Sequence, residues 1–80
     1  MLVYCVVETS DGEVMGANVF TRWDKALNHA VNIVVELESN DEEFSGPIEP
    51  LRDSALEILD SCKEYYGQDW SVNVIESEMK

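Results

Sequence analysis

Two runs of strand-forming residues, 2–8 and 14–20, meet at Asp11-Gly12, and this junction limits the folds open to the chain more than any other stretch. A tight antiparallel hairpin needs central residues that accept positive φ, and Asp-Gly supplies them. Both runs are rich in β-branched and aromatic residues, which suit a pleated, half-buried surface. Gly16 and Ala17 weaken the second run or leave room for a close neighbour. The chain therefore begins with a β-hairpin.

After the hairpin the apolar period changes. Trp23, Ala26, Leu27, Ala30, Val34 and Leu37 recur at helical spacing, with Val31 and Ile33 on the flanks. Thr21 is the expected N-cap, with Asp24 three residues on as its capping-box partner, and the helix is predicted to run to about Glu38. Its outer face, Lys25, Asn28, Asn32, Glu36 and Ser39, is nearly neutral. Residues 39–47 form a connecting loop. Pro47 and Pro50 bracket the start of a second helix, where a missing N–H costs little, and Gly67 is the expected residue that closes it. Residues 69–77 read as a last strand, with Trp70, Val72 and Val74 alternating against Ser71 and Asn73.

The predicted fold is α+β with the order ββααβ in a single domain, residues 1–80. Eighty residues leave no room for a second core. The third strand is expected to lie parallel beside the first, giving a three-stranded sheet of order 2-1-3 with two antiparallel helices on one face. An antiparallel edge beside the second strand is the alternative. Either arrangement leaves one sheet face open, and Leu2, Tyr4 and Val6 compete with Val3, Cys5 and Val7 for the buried side. The losing row stays exposed, and a homodimer or adaptor contact through that face is one functional expectation.

Seventeen acidic residues against five basic ones give a formal charge of −12. This disfavours direct binding to nucleic acid or to anionic membranes and favours basic partners. The charge is concentrated: residues 36–64 hold ten acids and two bases, a net −8. Such placement argues against a uniformly salt-adapted surface. The first residues run straight into a strand without a basic leader, and no apolar run has the length of a membrane span, so the expectation is a cytoplasmic protein. Cys5 and Cys62 fit reduced residues better than a disulfide framework.

The residues for catalysis are sparse. His29 is the one histidine and sits at the boundary of the first helix's apolar face. No phosphate-binding glycine loop, nucleophile elbow or zinc-ligand spacing occurs, and no cofactor is implied. The acidic run Asp41-Glu42-Glu43 lacks the alternating ligands and glycine turn of a calcium loop. A non-enzymatic protein is expected. Of the aromatics Trp23, Trp70, Tyr65 and Tyr66, three are expected to pack; Phe44, alone in the acidic loop, is a candidate contact anchor.

The second helix carries the sharpest functional signal. Glu49, Asp53, Glu57, Asp60 and Glu64 follow spacings of 4, 4, 3 and 4, which places five carboxylates on one stripe. Leu51, Ala55, Ile58, Leu59, Cys62, Tyr65 and Tyr66 cluster opposite. Like charges at i,i+4 repel by a few tenths of a kcal/mol per pair, so fold stability gives no reason for the stripe. Over about 22 Å of axis it approaches the linear charge density of a DNA strand. Asp41, Glu42, Glu43 and Phe44 extend the same surface toward a basic partner.

In size, charge and sparse catalytic inventory the chain resembles the small acidic inhibitors made by bacteriophages, including DNA mimics and anti-CRISPR proteins. The likeness is of overall character and not of any motif, so no residue role carries over. It implies a phage-encoded inhibitor that occupies the Lys/Arg-lined nucleic-acid channel of a host complex in the bacterial cytoplasm, with Arg partners gripping the carboxylates bidentately.

Overall fold

The hairpin turns as the sequence requires: Asp11 and Gly12 both take positive φ, 53° and 82°. In a computed structural model that describes residues 1–40 and 44–78, it joins β1 (Leu2–Ser10) to β2 (Glu13–Phe20). Next come α1 (Trp23–Ser39), α2 (Ile48–Cys62), a short β3 (Glu64–Tyr66) and β4 (Trp70–Glu78). The α+β class and the two helices are as expected. The sheet is not. It has four strands in the order β2-β1-β4-β3, and every neighbouring pair is antiparallel.

The difference arises at the end of α2. The helix stops at Cys62 and not at Gly67, because Lys63 takes the left-handed conformation (φ 60°) and its N–H caps Leu59 O at 2.9 Å. The next residues, Glu64, Tyr65 and Tyr66, extend as β3, which runs in the same direction as β1. This is the direction predicted for the strand after α2, but β3 sits at the sheet edge. A turn through residues 67–69 then reverses the chain, so β4 enters beside β1 antiparallel, from Leu2↔Glu78 to Ser10↔Trp70. Position beside β1 was legible; direction was not.

Gly67 belongs to that turn. Its N–H bonds Trp70 O at 2.8 Å, and a Cβ there would overlap the Trp70 indole, which stacks on Tyr65 at 5.8 Å between ring centroids. The turn is tied to the first hairpin by Asp11 N–H, which donates to Asp69 O at 2.8 Å. The start of α1 also differs from expectation. Arg22, not Thr21, is the N-cap residue, and no side-chain cap bond forms. Asp24 instead takes a forked pair of bonds from Arg22, at 3.1 and 3.0 Å.

Strand alternation divides the sheet into two faces. Tyr4, Val6, Phe20, Trp70, Val72 and Val74 face the helices, where Val6, Val72 and Val74 join Ala26, Ala30, Val31, Val34, Val35, Ala55 and Leu59 in one core. Val3, Cys5 and Val7 lie on the side away from the helices, but the row is not exposed as expected: Val3 is buried and Cys5 and Val7 are half-buried, because neighbouring strands crowd them. α1 lies across β1, β2 and β4, whereas α2 packs chiefly on α1 and β3. Because α2 sits at the margin, only a narrow strip of it is buried, Ala55 and Leu59 with half-buried Leu51. Ile58 and Cys62, predicted for the apolar side, are exposed. Both cysteines are free thiols.

Gly67→Ala is expected to destabilise the fold by about 1–3 kcal/mol through overlap with Trp70. Gly16→Ala, whose Cβ meets nothing closer than 3.8 Å, should leave stability unchanged or raised. Urea unfolding midpoints of the two variants check the contrast.

Candidate partner-binding surface

Helical periodicity places Glu49, Asp53, Glu57 and Asp60 on one side of α2, all exposed. They span eleven residue steps, about 16 Å of axis. Glu64 does not extend the stripe as expected from the sequence: it lies in β3, opposite Asn73 of β4, and its Oε2 accepts the Tyr66 hydroxyl at 3.1 Å. The array is thus four carboxylates and not five. Asp41, Glu42 and Glu43 fall outside the described residues. Phe44 is half-buried, and it is not among the side chains packed on the core.

Three of the four carboxylates, Asp53, Glu57 and Asp60, line an open groove of about 460 Å³ together with Leu27 of α1 and Leu56 of α2. The groove forms because α1 and α2 pack side by side, so a leucine from each meets at the seam while the acids stand on its rim. Leu56 retains 43% exposure. Leu27 was expected on the apolar face of α1 and Leu56 was not named from the sequence; neither was expected at a groove. The signal was present: Leu56 lies between Asp53, Glu57 and Asp60 on the helix surface, an apolar residue inside a charged face.

The chain's own cations are directed elsewhere. Arg22 pairs with Asp24, Arg52 Nη1 donates to Asn32 Oδ1 at 2.8 Å, and Lys63 Nζ sits 5.6 Å from the Trp23 ring centroid. Among the described residues no Lys or Arg side chain forms an ion pair with Glu49, Asp53, Glu57 or Asp60. The stripe therefore stands without an internal counter-charge there. Arg52 and Lys63 flank α2, yet both are engaged away from its acidic side.

Other candidate residues have structural occupations. His29 Nε2 accepts from Asn18 Nδ2 at 3.2 Å, and its ring lies 5.1 Å from that of Phe20, which fastens α1 to β2. Trp23, Tyr65 and Trp70 pack on the core, whereas Tyr66 is exposed. Among the described residues no group of His, Cys, Asp and Glu is arranged to hold a metal, and no helix is long and apolar enough to cross a membrane.

The bond from Tyr66 to Glu64, reinforced by the carboxylate's charge, raises the Tyr66 phenol above the ordinary tyrosine value. Burial, then the charge of Glu38, raises Tyr65. Because both folded values are raised, whatever the phenols contribute to stability is present below about pH 10 and is lost as pH climbs through the folded values. Ultraviolet titration should show both ionising late, and Glu64→Gln should return Tyr66 toward the ordinary value while leaving Tyr65 late.

No family model, curated protein or solved structure matches the chain.

Proposed function

We propose that the chain is a non-enzymatic inhibitor of a nucleic-acid-binding protein or complex, and that the acidic side of α2 is the surface it presents. The observation that carries this reading is the groove between the helices, where Asp53, Glu57 and Asp60 rim the apolar pair Leu27 and Leu56. Lysine and arginine side chains have the matching form, an aliphatic stem that packs on leucine and a cationic head that binds carboxylate. A partner rich in such residues replaces the counter-charge that the chain withholds from its own stripe.

Nucleic-acid channels are lined with these side chains, spaced to meet a backbone that carries about one charge per 3.4 Å on each strand. Four carboxylates over about 16 Å give about one per 5 Å, a sparser array on a rigid helix. Inhibition follows from occupancy: a channel filled by α2 is closed to its nucleic acid. This is the mode of action of DNA mimics and of one class of anti-CRISPR protein, and a phage-encoded protein in the bacterial cytoplasm is the setting it suits. Residues 41–43 and Phe44 precede this helix by a few positions in sequence.

Immobilised protein should capture nucleic-acid-binding proteins from a bacterial lysate at low salt, and added duplex DNA or salt should release them. Replacing Asp53, Glu57 and Asp60 together by Lys should weaken capture by about 100-fold or more. Equal capture by the triple variant would sink the reading.

A further inference from the structure

The open face of the sheet is where this acidic chain carries almost no charge. By register, Val3, Cys5 and Val7 of β1 lie on it, with Val19 of β2 and Ile75 of β4 on either side of Cys5. Val19 and Ile75 are 63% and 52% exposed, and each stands at a margin of the sheet, Val19 on the edge strand β2 and Ile75 where β4 has passed the end of β3. Toward the other end of the strands, Thr9, Ser71 and Asn73 bond one another through their side chains and are neutral. Five carboxylates sit in the described strands, and the register turns four of them, Glu8, Glu13, Glu76 and Glu78, to the helix side. Only Glu64, on the edge strand β3, shares the open face.

We infer that a second copy of this chain covers this face, the two sheets packing as a sandwich. Charge distribution is the first argument. Two chains of −12 repel through most of their surfaces, but each of these faces brings a single strand carboxylate, Glu64 at the β3 edge, to the contact. Sheets packed about 10 Å apart, each backed by a helix layer, keep the two α2 stripes about 30 Å or more from each other. That is several times the Debye length of about 8 Å at physiological salt, so their repulsion is screened.

Area is the second argument. Nine-residue strands in a four-stranded sheet cover about 30 by 19 Å, less the part that short β3 leaves empty, or about 500 Å² in plan. Two such faces bury somewhat more than about 1,000 Å² once side-chain relief is counted, the size at which specific interfaces begin. Core size is the third. The fully buried side chains are small, chiefly Val and Ala with Leu59 the largest, and a domain of this length gains from a second apolar layer.

Sedimentation equilibrium from micromolar to millimolar concentration should give the mass of two chains. Val19→Glu with Ile75→Glu, both at exposed positions, should give single chains with an unchanged far-ultraviolet circular dichroism spectrum. Asp53→Lys, on the helix layer, should remain a dimer. Alkylation of Cys5 should be several-fold slower in the unmutated protein than in the double variant, while that of exposed Cys62 is equal in both. Single chains at every concentration overturn the inference and leave the face to a different protein. A dimer that survives the double substitution, or a Cys5 rate equal in the two proteins, overturns it as well.

Discussion

The ladder between β1 and β4 joins the two ends of the described chain, and the placement of every other element follows from it. It pairs nine residues on each strand, from Leu2↔Glu78 to Ser10↔Trp70. β2 is fixed to one side of this pair by the Asp11-Gly12 turn, and β3 to the other by the turn at Gly67. The two turns are themselves bonded through Asp11 and Asp69. With both connections gathered at that end, the intervening helices have one route, across the face presented by Val6, Val72 and Val74. Val6 is opposite Val74, so the contact that sets strand register also supplies the floor of the core.

From this single-sided cover comes the separation of chemistry. α1 sits over the central strands and buries a wide arc, so its exposed side is narrow and nearly neutral. α2 is displaced toward β3 and buries little more than Ala55 and Leu59, which leaves most of its circumference in water. A helix so placed can carry Glu49, Asp53, Glu57 and Asp60 because none of them has to be desolvated. The opposite sheet face has the reverse character, apolar at Val19 and Ile75 and neutral at Thr9 and Ser71. Acid and apolar surface thus lie on opposite sides of a thin two-layer domain.

The hairpin, the two helices, the core face of α1 and the place of the last strand beside β1 were legible because each rests on local periodicity or turn chemistry. What escaped was one left-handed residue. Lys63 carries no glycine-like signal, and Gly67, four positions later, offers the conventional helix stop. Besides its local bond to Leu59 O, Lys63 is held by two tertiary contacts: its carbonyl accepts from Val74 N–H, and its ammonium lies over Trp23. The first exists only when β4 lies beside the end of α2, the second only when α1 does. The same shift moved Glu64 from helix to strand and shortened the acidic stripe. Leu27 was legible as an apolar position of α1, but its meeting with Leu56 was not, since a seam between two helices has no period in either one.

The stripe and the size of the core bear on each other. Four carboxylates at i,i+3 and i,i+4 spacing destabilise α2 by a few tenths of a kcal/mol per pair, and only a narrow apolar strip holds the helix down. In a small domain whose net stability is a few kcal/mol, that is an appreciable share. A cationic partner removes the repulsion as it binds, and by mass action it stabilises the folded chain beyond what the contacts alone supply. Salt acts in opposite senses on the two states: it screens the free stripe and so firms the unbound protein, while it weakens the complex. A chain built only for its own stability would turn Arg52 or Lys63 onto the acids. Here Arg52 is committed to Asn32 and Lys63 to Trp23, and neither offsets the charge of the stripe.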